Sequence, residues 1–246
     1  KKHVFVEKPI AFELDAAQRM IDAAKANGVR LMVGQVIRFW PQYAKIKQMY
    51  DEGVFGEFKG VSCSRLGQMP TWGEWYKDPK KSGETLMNLT LHDIDFLHYL
   101  LGKPSSVYSA GVKDEMDNYN DVMNAFTFAN GTNALVDGSL SMTPGYPFTM
   151  HFRGAGTKAT VEFVYKAGEN IGAGATTSFV LYEEGKEPQD IAFDEYDGYG
   201  REIEYFAQCI ESGAETSEVT SESVLTVLAS VIAAKKSLAD NKVHEL

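Results

Sequence analysis

The sequence predicts a short α/β segment followed by an α+β domain in which helices flank a large open antiparallel sheet. Two patterns support this prediction. A strand, a helix and a second strand follow one another within residues 3–33, which is typical of a parallel βαβ unit. Between residues 107 and 193, β-rich segments alternate with turn signals, which indicates hairpins and an antiparallel sheet. Because one βαβ unit cannot cover itself, we expect further strands upstream of residue 1.

The opening βαβ unit is delimited by turn residues. Its predicted parts are a strand over 3–6, a turn at Glu7-Lys8-Pro9, a helix over 12–27 and a strand over 30–33. The helix is amphipathic, because its apolar residues recur at helical spacing, and Gly28 follows it as a stop signal.

The rest of the chain also divides into helical and extended segments. The predicted helices cover 41–52, 92–101, 200–212 and 221–241, and the predicted strands cover 58–65, 121–128, 133–142, 148–153, 160–163, 178–182 and 190–193. Asn130-Gly131 lies between two of these strands and predicts a hairpin. Thr90 and Asp93 have the spacing of a capping box. We interpret Asp95 as a negative charge that stabilises the start of the same helix.

Composition narrows the possible functions. Hydrophobic residues make up 44% and charged residues 24% of the 246 residues, as in a globular protein. The net charge of −10 disfavours a nucleic-acid partner. No apolar run approaches the ~20 residues of a membrane helix, so we expect no membrane partner. The two cysteines, Cys63 and Cys209, are too few for a disulfide framework, which favours the cytoplasm.

Three segments are candidates for chemistry. The first, residues 6–11 with the sequence VEKPIA, ends the first strand, where open parallel sheets bind their ligands. The second, residues 34–41 with the sequence GQVIRFWP, follows the second strand. The third joins residues 83–88 to residues 92–95 and ends at Leu100-Leu101-Gly102.

In order and spacing, these segments resemble the motifs of the Gfo/Idh/MocA oxidoreductases, which include glucose–fructose oxidoreductase and inositol dehydrogenase. The resemblance extends from Val4 over essentially the whole chain. It implies that residues 1–36 end an NAD(P)-binding Rossmann domain and that residues 37–246 form an α+β domain for substrate binding and oligomerisation. We therefore expect the chain to begin inside a longer protein and to lack dehydrogenase activity by itself.

The resemblance also implies roles for individual residues. His92 would take the hydroxyl proton of a sugar, inositol or related polyol, and Lys8 would hydrogen-bond the same oxygen. NAD or NADP would be the cofactor, contacted by Glu7, Lys8, Pro9 and Arg38, with a cis bond before Pro9. Without the resemblance, a lysine in a turn is usually a solvated charge, and a histidine in a first helical turn is usually structural.

The loop over residues 67–83 is long enough to need a function. Its aromatic residues Trp72, Trp75 and Tyr76 are candidates for substrate binding, because aromatic faces stack on the C–H surfaces of sugar rings. Packing in a core or an interface is the alternative for all three. The open sheet must be covered by something, so we expect a homodimer or homotetramer to form through it.

Position 88 departs from the family pattern, which usually has Asp four residues before the histidine. Asn88 can orient a neighbour but cannot hold a negative charge, so we assign it to the catalytic set with a weaker effect on Lys8 and His92. This departure leaves two rival functions open. One is a non-catalytic module that senses sugar or nucleotide, and the other is an NAD-assisted glycosidase or lyase on the same scaffold.

Two further patterns are set aside. The segment 154–159 matches G-x-G-x-x-A after a strand, but a β-branched and aromatic stretch follows where a dinucleotide site needs a helix, so we predict a hairpin turn. The five histidines are scattered along the chain, and we expect no metal site.

Overall fold

The computed structural model describes residues 1–71, 73–168 and 174–246. The strands are β1 (Val4–Glu7), β2 (Leu31–Gly34), β3 (Phe58–Leu66), β4 (Pro104–Lys113), β5 (Tyr119–Phe128), β6 (Asn133–Ser139), β7 (Thr149–Gly156), β8 (Ala159–Lys166), β9 (Thr176–Glu183), β10 (Gln189–Asp190) and β11 (His244–Glu245). The α-helices are α1 (Leu14–Ala26), α2 (Pro41–Asp51), α3 (Pro79–Ser82), α4 (Leu91–Leu101), α5 (Gly198–Ser212) and α6 (Ser221–Asp240).

The predicted βαβ unit is confirmed. Strands β1 and β2 pair in parallel, with Val4 opposite Leu31 and Glu7 opposite Gly34, and α1 connects them. Because the strands are parallel and in register, their carboxyl ends leave the sheet at the same edge. We call this the exit edge. The domain boundary at residue 36 stays a prediction.

The second sheet has nine strands in the order β10-β9-β8-β7-β3-β6-β5-β4-β11. The predicted hairpins are present, and the segment 154–159 lies across the β7–β8 hairpin, as expected. The sheet is mixed rather than wholly antiparallel, because β3 runs parallel to β6 and antiparallel to β7. No tight turn joins β3 to either neighbour, so hairpin geometry does not fix its direction.

One face of the nine-stranded sheet packs on helices, and the other is open. Alternate residues such as Val122, Phe152 and Phe163 are fully buried and contribute to the hydrophobic core, while α4 and α6 pack against each other and α6 also contacts β4. On the opposite face, Met123 and Leu135 are 53% and 44% exposed. The expected open face is therefore present.

The start of α4 differs from the sequence-based prediction. Residues Leu86–Thr90 form a π-helical turn that continues directly into α4. Thr90 has helical dihedral angles, and its hydroxyl donates to the carbonyl of Leu86, so the predicted capping box is wrong. Asp93 and Asp95 are fully buried and paired with arginines, so neither is the cap nor the exposed helix-start charge that we expected.

Within the described residues, none of the helices combines the length and the apolar character needed to cross a membrane.

Candidate active site

Lys8 lies at the exit edge, directly after β1, and the Lys8–Pro9 bond is cis as predicted. Its ammonium group crosses to the π-helical turn. Nζ donates to the backbone carbonyl of Asn88 at 2.5 Å, whereas the Asn88 side-chain Oδ1 lies 3.5 Å from Nζ. The backbone of residue 88, rather than its side chain, is therefore the main anchor of the amine.

The local sequence explains why this carbonyl is available. A π-helical turn displaces carbonyls from the regular i→i+4 pattern, and such turns are frequent at functional sites. The segment before it begins at Gly83, which has a left-handed φ of +69°. A Cβ atom at this position would lie 2.5 Å from Cβ of Met87 and 2.8 Å from Cε1 of Phe12. Only glycine therefore allows the backbone at position 83 to lie this close to Met87 and Phe12.

His92 lies in the first turn of α4 and is partly exposed. Its Nδ1 is buried, without a hydrogen-bond partner in the described part of the chain. Burial, followed by the positive charges of Lys8 and Arg65, holds the pKa of His92 well below its ordinary value. The imidazole is therefore neutral near pH 7 and can accept a proton.

The pKa of Lys8 is also low. Burial is the largest cause, the charge of Arg65 adds to it and the carboxylate of Glu7 opposes it, which together lower the pKa of Lys8 to about 8. The ammonium and the free amine are thus both accessible close to neutral pH. The structure brings Lys8, Asn88 and His92 together, although they are far apart in the sequence.

Arg65 is a buried arginine that is held in an ion pair with Asp93. Its Nε and Nη2 donate to the two carboxylate oxygens of Asp93 at 2.8 and 2.9 Å. The pair holds the guanidinium of Arg65 in place, and its positive charge lowers the pKa of both Lys8 and His92. We did not predict Arg65 from the sequence.

Arg38 does not fit the predicted role in cofactor binding. Its guanidinium is buried and donates to Asp95 through Nε at 2.8 Å and Nη2 at 2.5 Å, while Nη1 donates to the carbonyl of Glu218. The ring of Tyr99 lies 4.8 Å from its central carbon. Because these contacts occupy all three guanidinium nitrogens, we correct the assignment and regard Arg38 as structural.

The structure describes two of the three aromatic residues that we predicted to bind substrate. Trp72 lies outside the described residues. Trp75, which is 41% exposed, stacks on Tyr76 with ring centroids 3.8 Å apart. Partial burial, followed by the nearby hydroxyl of Tyr199, raises the pKa of Tyr76. The loop therefore presents an aromatic surface next to the start of α5.

Sequence reasoning missed Glu202 on α5. This residue is only 1% exposed, and its Oε2 has no hydrogen-bond partner among the residues that the structure describes. Burial, followed by the charges of Glu7 and Asp197, raises the pKa of Glu202 to about 8. Its position four residues before the buried Phe206, on the inner face of an amphipathic helix, is the signal that could have identified it.

The remaining members of the predicted cofactor set lie at the exit edge. Glu7 is exposed and Pro9 is partly exposed, and Gly34 packs so closely that an added Cβ would lie 3.2 Å from Oε2 of Glu7. Gln35 follows at once, and its buried Oε1 has no partner within the described ranges. The edge therefore offers unpaired polar atoms to a ligand.

Comparison with known proteins identifies the family. The description "Oxidoreductase family, NAD-binding Rossmann fold" matches residues 1–35, and "GFO/IDH/MocA C-terminal domain" matches residues 43–162.

The chain is similar to an uncharacterized oxidoreductase, YrbE, of Bacillus subtilis (strain 168), with 28% identity over 88% of this chain and 63% of that protein. It is also similar to inositol 2-dehydrogenase of Rhizobium meliloti (strain 1021), with 26% identity over 98% of this chain and 72% of that protein. A crystal structure of a putative NADPH-dependent oxidoreductase from Desulfitobacterium hafniense superimposes with a TM-score of 0.87 at 26% identity, covering 99% of this chain and 72% of that one. The chain thus spans about two thirds of the length of these relatives, and it belongs to the GFO/IDH/MocA family of oxidoreductases, whose nucleotide domain is an NAD-binding Rossmann fold.

Proposed function

We propose that the protein containing this chain is an NAD(P)-dependent dehydrogenase that interconverts a hydroxyl and a carbonyl group on a sugar, inositol or related polyol. The observation that supports this most is the meeting of Lys8 and His92 at the exit edge, where one is a cation of low pKa and the other a neutral imidazole. The inositol dehydrogenase relative supports the substrate class.

The two groups have complementary roles. Neutral His92 accepts the proton of the substrate hydroxyl, because its low pKa keeps it unprotonated at neutral pH. The Lys8 ammonium, held by the Asn88 carbonyl, donates a hydrogen bond to the same oxygen and stabilises the negative charge that develops there. In the direction of carbonyl reduction, the same proton returns from His92 to that oxygen, which leaves the imidazole neutral, while the Lys8 ammonium again donates a hydrogen bond to the oxygen.

The exit edge fits the nicotinamide end of a dinucleotide. Glu7 is exposed, and Oε1 of Gln35 has no hydrogen-bond partner in the part of the chain that the structure describes. These polar groups could bind the carboxamide and the ribose of the nucleotide. A bound nicotinamide supplies hydride transfer. Glu7, Lys8, Pro9 and Gln35 would hold it. The sequence does not distinguish NAD from NADP.

The test is a turnover assay on the full-length protein with NAD and NADP and a panel of myo-inositol, glucose, xylose and sorbitol. We expect a net change in nicotinamide absorbance with at least one polyol. Cleavage of a glycoside without a net change would instead support the NAD-assisted glycosidase or lyase, and saturable binding without either reaction would support the sensor. Both outcomes contradict the proposal.

We also propose that the protein forms a homodimer or homotetramer through the open face of the nine-stranded sheet. Exposed apolar residues spread across this face, which favours burial against a second copy: Tyr108, Met123, Leu135 and Tyr182. Size-exclusion chromatography with light scattering should give a mass of at least two chains. Aspartate in place of both Met123 and Leu135 should yield the monomer, and a monomeric wild-type protein would contradict this proposal.

A further inference from the structure

Glu84 has a backbone conformation that residues with a side chain rarely adopt. Its φ is +61°, in the left-handed region, and the residue is only 7% exposed. Two other non-glycine residues in the described ranges share this conformation, Asp117 and Asn241, but both are exposed and belong to residue types that tolerate it. Backbone strain at a buried residue persists only where the surrounding contacts hold it, and such residues cluster at functional sites.

The carboxylate of Glu84 supplies those contacts. Its Oε1 accepts a hydrogen bond from the backbone N–H of Tyr119, at the start of β5, at 3.0 Å. Its Oε2 lies 3.0 Å from Nζ of Lys235 on α6. The two oxygens therefore tie residue 84 to a strand of the nine-stranded sheet and to a helix that contacts the same sheet.

Glu84 comes two residues before the π-helical turn, and packing fixes the other end of that turn. A Cβ atom on Gly138 of β6 would collide with Cγ2 of Thr90, so glycine at this position lets the end of the turn rest directly on the sheet. Asn88 lies between the two fixed ends, and its carbonyl accepts the hydrogen bond from Nζ of Lys8. Because both ends of the turn are held, this carbonyl oxygen has a defined position.

We propose that Glu84 is a positioning residue. By fixing the start of the π-helical turn, it places the carbonyl oxygen of Asn88 where that oxygen holds the Lys8 amine at the exit edge. Glu84 itself is attached to β5 and α6, and it acts on the site only through Asn88 and Lys8. The proposal rests on the proposed function, because Lys8 belongs to that site.

Substitution by glycine separates this role from a contribution to stability. Glycine adopts a φ of +61° without strain, but it has no carboxylate to bind Tyr119 and Lys235. Because the relief of strain offsets part of the lost contacts, we expect the melting temperature of Glu84→Gly to stay within a few degrees of the wild type. Glu84→Gln keeps an oxygen that accepts from Tyr119 but cannot form the ion pair with Lys235, so it retains half of the attachment.

The first measurement is steady-state kinetics of the full-length protein with the polyol and the nucleotide that it turns over fastest. For Glu84→Gly, we expect kcat to fall about tenfold or more, because a displaced carbonyl misplaces the amine that acts on the reacting oxygen. The KM of the nucleotide should stay within about threefold of the wild type. The kcat of Glu84→Gln should fall between those of Glu84→Gly and the wild type.

The second measurement reports on Lys8 without catalysis. Competitive labelling with acetic anhydride over a range of pH, read by mass spectrometry, gives the pH at which the Lys8 amine is half protonated. Lys186, in the exposed β9–β10 turn, is the internal reference. The wild-type midpoint should lie near the Lys8 pKa of about 8. Glu84→Gly should move it upward by about one unit or more, towards 10.5, because an amine released from the carbonyl is less buried.

Asp117→Gly is the matched control. Asp117 has a φ of +66°, so glycine relieves the same strain there, but this residue is exposed between β4 and β5 and pairs with Lys113 at the surface. The variant should change neither kcat nor the Lys8 midpoint. If it changes them as much as Glu84→Gly does, the effect does not come from the carboxylate of Glu84, and the inference is overturned.

The two measurements separate the possible failures. A wild-type kcat or an unchanged Lys8 midpoint in Glu84→Gly overturns the inference and leaves the proposed function standing. If Glu84→Gly does not fold, Glu84→Gln decides by the same two quantities, and wild-type values in that variant overturn the inference. If the wild type turns over none of the polyols with either nucleotide, the proposed function fails, and the Lys8 midpoint then supports or overturns the positioning role of Glu84.

Discussion

Two kinds of polar residue lie side by side on α4. Two carboxylates stabilise the structure, whereas one histidine remains available to react with a ligand. Asp93 and Asp95 are fully buried, and each carboxylate receives two hydrogen bonds from one arginine. His92, between the π-helical turn and Asp93, is partly exposed and leaves a buried ring nitrogen without a partner in the described residues. Satisfied groups hold the helix in place, and the unsatisfied group remains available for a ligand.

The largest effect should come from the available groups. We expect Lys8→Ala and His92→Ala each to lower kcat/KM by about 10²–10⁴-fold, because each removes a proton-transferring or charge-stabilising group. Steady-state kinetics of the full-length protein measures this. Melting temperatures should change little, and Lys186→Ala, in the exposed β9–β10 turn, should change neither quantity. Wild-type rates in either site variant would refute the assignment of the site.

For the paired carboxylates, we expect substitution to lower the stability of the fold. Asp95→Ala leaves the guanidinium of Arg38 buried and without its carboxylate partner, so we expect a loss of about 3–5 kcal/mol in the free energy of unfolding. Urea denaturation provides the value. Asp51→Ala removes an exposed ion pair with Lys47 and should cost less than ~1 kcal/mol. Equal losses in the two variants would remove the distinction between buried and exposed pairs.

Glu202 shares a property with each kind of residue: it is buried like Asp95, and like His92 it has a side-chain atom without a hydrogen-bond partner among the described residues. Its pKa in the folded state, about 8, exceeds the ordinary glutamate value of 4.5 that applies in an unfolded chain. The stability associated with the protonated form is fully present below the unfolded pKa and is lost as the pH rises towards the folded pKa.

Glu202→Gln keeps the shape of the side chain and cannot ionise. We expect it to gain roughly 2 kcal/mol over the wild type between pH 5 and pH 8, as measured by denaturation across that range. Glu204→Gln, on the exposed side of the same helix, is the control and should follow the wild type. Parallel stability curves for Glu202→Gln and the wild type would show that Glu202 is ionised without cost.

The smallest expected effect concerns Asn88. Carbonyl reduction uses the Lys8 ammonium, so its kcat/KM should fall as the pH rises above about 8, where the proton is lost. Asn88→Asp puts a carboxylate where the amide oxygen now lies 3.5 Å from Nζ. The pH at which kcat/KM falls should therefore rise by about one unit, with activity preserved or raised.

Asn88→Ala keeps the backbone carbonyl. Its kcat/KM should still begin to fall near pH 8, and most of the activity should be retained. Loss of activity in this variant as large as in Lys8→Ala would show that the side chain, and not the backbone, anchors the amine. The pH profile of each variant decides between the two.

Local patterns predicted most elements of this fold. The βαβ unit, the hairpin at Asn130-Gly131 and the terminal helices are set by residues close in sequence, and all were found. The parallel pairing of β3 with β6 was not predicted, because it depends on a crossover rather than on a turn. The two-residue strand β11 is too short to carry a periodic pattern.

The site was predictable only in part. Lys8 and His92 were predicted from the resemblance to the family's motifs. The pairing of Arg38 with Asp95 joins residues 57 positions apart and leaves no local signal. The π-helical turn also has no sequence pattern of its own, so the capping interpretation of Thr90 and Asp93 was the wrong one. Glu202 was missed because its burial and its neighbours, and not its residue type, give it significance.

The anchoring of Lys8 by a main-chain oxygen has a consequence for substitution at position 88. A carbonyl is present whatever amino acid occupies position 88, so mutation there cannot abolish the hold on the amine as long as the turn persists. Substitution at this one position is therefore free to retune the pKa of the Lys8 amine, and a protein engineer could adjust it without rebuilding the candidate site.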